Sequence, residues 1–200
     1  MIESDIHPHV ASERAELFEA VDSQATESEY LHLLTSLVKV LKPRRVLETG
    51  TYNGHGTAVL ARACRDNGLG FVDSVEADPG RAYKADLHII ASGLRPWARI
   101  HAAQSVEWIG RGGQTFDFGF FDSDLPYRVS ELRACLDTGL MGRDGYAVFH
   151  DTSRARITRA GVPDPRTEAF WRDFDALSRE FGFKQVFEFP LSRGMTVVHL

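Results

Sequence analysis

The chain has almost no cysteine. Cys64 and Cys135 are its only two, they lie far apart, and they form neither a CxxC pair nor a zinc-ligand spacing. That excludes a disulfide framework, and both read as reduced thiols of a cytoplasmic protein. No apolar run approaches the roughly 18–20 residues needed to span a bilayer, so no membrane partner is expected. The opening stretch MIESDIHPHVASERAE is acidic and lacks the apolar centre of a secretory leader. Positive charge is scarce too. With 23 Lys and Arg against 28 Asp and Glu, the net charge is −5, which argues against nucleic acid, whose binders carry a basic face. Internal repeats and low-complexity tracts are absent as well.

What remains is the composition of an ordinary soluble domain, 43% hydrophobic and 26% charged, and 200 residues suit one core. Segments Ser12–Val21 and Glu27–Leu41 show helical spacing, the second with Tyr30, Leu31, Leu34, Leu37, Val38 and Leu41 on one side. Lys42-Pro43 ends it, because a residue before proline is pushed out of the helical region. Residues 1–42 are thus expected to form an N-terminal helical cap, and 43–200 the ligand-binding domain.

Beyond Pro43 short apolar runs alternate with helical patterns. The runs are Arg45–Glu48, Phe71–Glu76, Arg99–Ala102, Phe116–Phe121, Tyr146–His150, Gln185–Phe189 and Met195–His199. Between most of them lie Gly56–Asn67, Arg81–Ser92, Ser105–Gly110, Pro126–Thr138 and Pro165–Gly182. This alternation implies an α/β fold with a seven-stranded, mostly parallel sheet and helices on both faces. The last connection, PLSRG, is too short for a crossover helix, so the final strands should form an antiparallel hairpin. Ligands of such sheets bind beyond the carboxyl ends of the parallel strands, and five segments converge there.

The first of these is VLETGTYNGHGTAVLA. A glycine-rich turn between strand and helix lets a ligand approach the backbone near the positive helix end. No lysine follows Gly54 or Gly56, so a Walker loop is excluded. The spacing of Gly50, Gly54 and Gly56 is GxxxGxG, not the dinucleotide GxGxxG, and Glu48 precedes it. A carboxylate there suits a cationic ligand better than a diphosphate, and S-adenosylmethionine carries an ammonium and a sulfonium. Glu76 ends the second strand, where an acid can accept from both ribose hydroxyls. Gln104 and Ser105 end the third and could read an adenine edge.

The run VLETGTYNGHGTAVLA, followed by VEADP, AAQSVEWI, FDFGFFDSDLPY and GRDGYAVFHDTS, resembles class I S-adenosylmethionine-dependent methyltransferases. Among these it is most similar to small-molecule O-methyltransferases of the catechol O-methyltransferase type, over roughly residues 44–200. The resemblance implies a Rossmann-like sheet whose last strand is antiparallel, and methyl transfer to a hydroxyl of a small molecule. It implies that Glu48 and the loop Gly50, Tyr52, Gly54 and Gly56 hold the methionine part. Glu76 would bind the ribose, Gln104 and Ser105 would flank adenine, and Asp122 would lie near the sulfonium. Metal-dependent members also hold a divalent ion, and the matching positions are Asp122, His150, Asp151 and Thr152. Mg²⁺ would suit these oxygens, and a softer ion would fit with His150 turned inward.

Two departures matter. Thr152 stands where the catechol enzymes have asparagine, and Leu125 where they have a lysine base. A substitute base would be His150 or Asp124, unless a metal lowers the acceptor pKa. Arg154, Arg156, Arg159, Arg166 and Arg193 surround the same edge and suggest an acceptor bearing an anionic group. His7 and His9 read as solvated, and His101, Trp97 and Trp108 as packing groups. The N-terminal helices would cover the acceptor side or build a homodimer contact. Two other readings stay open: a non-catalytic S-adenosylmethionine-binding protein, and an NAD-dependent oxidoreductase sharing the ribose acid.

Overall fold

In the computed structural model, which describes residues 14–22, 24–158 and 161–200, the apolar runs become one seven-stranded sheet. Its strands are β1 (Arg45–Thr49), β2 (Phe71–Glu76), β3 (Ala98–Ala102), β4 (Phe116–Phe121), β5 (Met141–His150), β6 (Gln185–Phe189) and β7 (Met195–His199). Their order is β3-β2-β1-β4-β5-β7-β6. Only β7 runs against the rest, pairing antiparallel with both β5 and β6. The strand order reverses at β1, which lies between β2 and β4, and such a switch point opens a crevice at the carboxyl edge.

Period-two burial separates two cores. Val46, Phe118, Phe120 and Val148 point to one face, against α1 (Ser28–Leu41), α2 (His55–Asn67) and α3 (Pro79–Ala91). Leu47, Phe121, Ala147 and Phe149 point to the other, against α4 (Ser105–Gly110), α5 (Leu125–Asp137) and α6 (Pro165–Phe181). Cys64 and Cys135 belong to opposite faces, so the sheet itself keeps them from bonding. No helix among the described residues is long and apolar enough to cross a membrane.

Local chemistry starts and stops these helices. Asp78 and Asp164 each accept a backbone N–H from the first turn, of Arg81 and Arg166, with proline following at the first helical position. Those prolines explain why α3 starts earlier than the periodicity alone suggests. The α5 helix also starts one residue early, at Leu125 ahead of Pro126. Gly182 ends α6 in the left-handed region, φ 70°. Tyr30, Leu34 and Val38 put one stripe of α1 into the same core as Val46 and Leu60.

Two expectations change. Of the helix expected over Ser12–Val21, the described part forms only a 3-10 turn, Ala15–Leu17, with Ala15 alone buried. So short a segment cannot sustain a helix without an apolar face to bury. Strand β5 starts at Met141, five residues before Tyr146, because the GRDG stretch pairs through a bulge opposite Phe116–Phe118. Its glycines look like a turn in sequence.

Phe149 is fully buried and packs on Phe121, Phe170 and Phe174 at centroid distances of 5.2, 5.4 and 5.8 Å. Phe149→Ala should lower stability by about 3–5 kcal/mol, read as a shift of the urea midpoint.

Candidate functional site

A cavity of about 730 Å³ opens at the carboxyl edge of the sheet beside the switch point, within the usual size of a small-ligand pocket. The loop after β1 lines it with Gly50 and Tyr52. Gly50 has φ +81°, and a Cβ there would overlap the Asp122 carbonyl, so glycine is required by both conformation and space. Glu76 is 7% exposed and accepts the backbone N–H groups of Tyr52 and Asp78 at 2.8 and 3.0 Å. It therefore ties the glycine loop to the end of β2 while bordering the cavity. Gln104, Ser105, Asp122, Asp124 and Asp151 border it too.

Glu131 was not foreseen. It reaches the cavity from α5, fully buried, and accepts from Thr49 at 2.7 Å, from Ser123 at 2.8 Å and from Ser105. Burial raises its carboxyl pKa, against the hydrogen bonds from Ser105, Thr49 and Ser123. The available signal was that Arg128 and Glu131 share the inward face of α5 with Leu125, Leu132 and Cys135.

Glu48 is placed differently from its expected role. It is 1% exposed and stands behind the loop, accepting from Ser74 at 2.5 Å and from Thr57. Its Oε1 fills the space that a Cβ on Gly56 would take. Burial pushes its pKa up to about 8 despite those hydrogen bonds, and the carboxyl braces the loop from behind without bordering the cavity. Gly54, φ +83°, serves the close approach of α2 to Ala85 of α3 at 3.2 Å. Of the loop positions named above, Gly50 and Tyr52 border the cavity, whereas Gly54 and Gly56 serve packing.

The acidic end of the cavity is a buried ion-pair cluster. Arg128, 3% exposed, donates from Nε to the Ser123 carbonyl at 2.6 Å and from Nη1 to the His150 carbonyl. Its Nη2 reaches both Asp122 Oδ1 and Asp151 Oδ2 at 3.0 Å. His150 lies between Asp122, 3.1 Å from Nδ1, and Glu27, 2.5 Å from Nε2. Burial alone would lower its pKa, but Asp122, Asp151 and Glu27 push it up to about 9. Both ring nitrogens face carboxylates, and His150, 1% exposed, lies inside the ion-pair cluster and off the cavity lining, so, contrary to its expected role as general base, its ring presents no open nitrogen to an acceptor. Glu27 also accepts from Ser192 at 2.6 Å and from Arg193 Nη2 at 3.1 Å. Burial would raise its carboxyl, yet His150 and Arg193 hold it well below the usual range. Tyr30 seats this N-terminal segment over the hairpin by donating to the Leu191 carbonyl at 2.5 Å.

Whether these residues fit a divalent ion turns on their free oxygens. Asp122, His150 and Asp151 each offer a ligand atom within 4.8 Å of one another. Thr152 does not join them, since it is 2% exposed with its hydroxyl against Thr196 at 2.8 Å. Asp122 Oδ1 serves Arg128 and His150, and its Oδ2 accepts from Thr26 at 2.8 Å. Asp151 Oδ2 serves Arg128, while Oδ1 faces Arg156 Nη1 at 2.9 Å. Burial would raise the Asp151 carboxyl, but Arg156, His150, Arg193 and Arg128 hold it well below the usual range. Mg²⁺ wants six oxygens in near-ideal octahedral array, whereas here Arg128 lies on one oxygen of each aspartate, Thr26 donates to the other oxygen of Asp122, and Asp151 Oδ1, which accepts no hydrogen bond, lies 2.9 Å from the Arg156 guanidinium. The donor set does not fit an ion.

The arginines are similarly committed. Arg156 pairs with Asp151 and, at 3.7 Å, Asp164, and Arg193 with Glu27. Arg166 pairs with Asp164 and Arg154 with Glu188, the latter stacked 3.6 Å over Trp171. His101 bonds Asp73 at 2.8 Å, and Trp108 packs on it at 4.8 Å. Arg159, His7 and His9 lie outside the described residues. Asp124 heads α5 at the cavity rim, exposed and without a capping hydrogen bond.

A family model described as a methyltransferase domain matches residues 47–152, from β1 to the Asp151 turn. The chain belongs to this family, the class I S-adenosylmethionine-dependent methyltransferases, and its relatives include catechol O-methyltransferases. Catechol O-methyltransferase B of Danio rerio is 29% identical over 137 residues, 66% of this chain and 49% of that protein. Catechol O-methyltransferase of Niastella koreensis is 29% identical over 111 residues, 54% of this chain and 48% of that one. The chain thus spans about half the length of these relatives. Among solved structures, the S-adenosylhomocysteine-bound methyltransferase PaMTH1 of Podospora anserina aligns with a TM-score of 0.77 at 16% identity, over 88% of this chain and 80% of that chain. The O-methyltransferase TomG of Streptomyces achromogenes, involved in tomaymycin synthesis and solved with S-adenosylmethionine, aligns at 0.74 and 20%, over 89% and 82%. At such identities the likeness is one of fold.

Glu48 carries a pH prediction. A carboxyl raised from 4.5 to about 8 in the fold favours the folded state fully below 4.5 and loses that contribution as pH rises toward 8. Glu48→Gln should flatten the decline in stability across that window and match or exceed the parent at its upper end, read from urea midpoints. A decline just as steep in the variant would show that Glu48 is not the group responsible.

Proposed function

We propose that the chain transfers the methyl group of S-adenosylmethionine to a hydroxyl oxygen of a small molecule. The observation that carries this is the convergence of Glu76, Gln104, Ser105 and Asp122, from the ends of three strands, on one cavity. The residues suit an adenosyl donor. Glu76 is fixed by two backbone donors with lone pairs left for ribose hydroxyls, and Gln104 and Ser105 sit at the start of α4 beside it. The bound donor supplies an electrophilic methyl on a cationic sulfur. Asp122 and the Tyr52 loop orient that end, and the buried cluster below sets the field around the acceptor oxygen. As the C–O bond forms and the C–S bond breaks, the hydroxyl proton passes to Asp124, which stands uncapped at the rim.

The acceptor in this reading is small and carries an anionic group. Arg166, whose side chain is 35% exposed, is the cavity arginine best placed to meet it. Two buried free cysteines on opposite faces suit a cytoplasmic protein. A second copy could pair along β6, an edge strand that exposes Val186, Phe187 and Phe189.

The test is calorimetry with S-adenosylhomocysteine and with NADH, followed by product detection over phenol, sugar and amino acceptors. Binding of S-adenosylhomocysteine and methylation of a hydroxylated acceptor are expected. Binding of NADH alone would mean an oxidoreductase, and donor binding without transfer to any acceptor would mean a non-catalytic protein. Glu76→Ala should weaken S-adenosylhomocysteine binding by about 1.5–3 kcal/mol, roughly ten- to a hundredfold, through lost hydrogen bonds to a charged group. Unchanged affinity would remove the ribose assignment.

A further inference from the structure

We infer that the Arg128 guanidinium holds the place a divalent ion would take between Asp122 and Asp151, so that the reaction runs without a metal and the acceptor oxygen is met by arginine N–H groups. This rests on the methyltransferase reading above. The strand ends that carry the two aspartates are bridged by one side chain, since Arg128 bonds the Ser123 carbonyl, the His150 carbonyl and both carboxylates. An ion placed there would have to displace it. Arg128 is 3% exposed where it stands, displacing it would break four hydrogen bonds, and a buried charge stripped of partners is strongly unfavourable.

Charge balance points the same way. Arg128, Arg156 and Arg193 already face Asp122, Asp151 and Glu27, one guanidinium for each carboxylate. An added divalent cation would enter a cluster whose carboxylates already face three guanidinium groups and the His150 ring, where repulsion between like charges is only weakly screened. The three arginines come from different elements, α5, the loop after β5 and the β6–β7 turn. Their meeting point is a property of the fold and not of one basic segment.

The arrangement also leaves donors for a substrate. A guanidinium has five N–H groups, and Arg128 spends four on protein oxygens. The Arg156 Nε is buried and makes no hydrogen bond among the described residues, lying 3.7 Å from Asp164. Both residues border the cavity. Arg128 keeps one unspent N–H at the cavity wall, and a fixed N–H group near a developing oxyanion would lower its energy as a Lewis acid would. Lysine in place of Arg128 could not span both carboxylates and both carbonyls, because its ammonium is a point donor and not a fork.

The experiment uses Mn²⁺ as the probe. The purified chain, saturated with S-adenosylhomocysteine, is titrated with MnCl₂ and free Mn²⁺ is read by electron paramagnetic resonance. The parent should show no stoichiometric Mn²⁺ binding, whereas Arg128→Ala, which leaves Asp122 and Asp151 facing each other, should bind Mn²⁺ at least about tenfold more tightly. Asp151→Asn added to that variant should abolish the gain. Stoichiometric Mn²⁺ binding by the parent would overturn the inference, as would a folded Arg128→Ala protein with no gain. Should Arg128→Ala fail to fold, Arg128→Lys serves, with the same gain expected and its absence counting against the idea. Saturation with S-adenosylhomocysteine is verified by calorimetry first, so that failure of donor binding, which would sink the methyltransferase reading, is seen separately from the metal result.

Discussion

The interaction on which the rest of the site depends is the buried guanidinium of Arg128 spanning the ends of β4 and β5. Two carboxylates at adjacent strand ends repel each other strongly in a poorly hydrated setting. With Nη2 at 3.0 Å from each, Arg128 turns that repulsion into a clamp. The clamp reaches further through His150, which carries the charge of Asp122 to Glu27, and Glu27 carries it on to the hairpin at Ser192 and Arg193. Four chain segments are locked by one network. Removing any single partner would leave an unmatched buried charge.

That network explains backbone features otherwise hard to place. Asp151 holds a left-handed conformation, φ 61°, and Ser192 another, φ 51°. Both are uncommon for residues with side chains, and both lie where the cluster pins the chain. Gly194, φ +84°, lets the β6–β7 turn lie against Ser153, where any Cβ would collide. The turn is thereby brought over the crevice, and Arg193 delivered to Glu27. Strained positions held by surrounding ion pairs are common at functional sites.

A division of labour runs along the carboxyl edge. On the β1–β3 side the groups are hydrogen-bonded and only modestly charged, with Glu76 tied to two amides and Glu48 hidden behind its loop. On the β4–β5 side charges are dense and each is paired with a group of opposite sign. The first half suits recognition of a neutral sugar and base, and the second suits control of a reacting oxygen. Glu131 joins the halves, accepting from Thr49 on one side and from Ser123 on the other.

The order and type of nearly every element follow from the patterning of the chain alone. Its period-two and helical spacings encode which faces must be buried, and that is a local property. It also marked the strand ends where Glu76, Gln104, Ser105, Asp122 and Asp151 meet, since alternation of strand and helix dictates a common edge. The hairpin was legible because five residues cannot make a crossover. The partner of each charge, by contrast, is set by the packing of distant elements. Glu48 looked like a ligand contact, and burial against Ser74 and Thr57 made it a scaffold group. His150 looked like a base, and Glu27, more than a hundred residues away in sequence, took its second nitrogen. Arg128 carries no sequence signal that sets it apart on its helix, yet it sits between the two aspartates. Long-range ion pairing leaves no periodic trace along a chain, because its geometry exists only once separate strands and helices have been brought together.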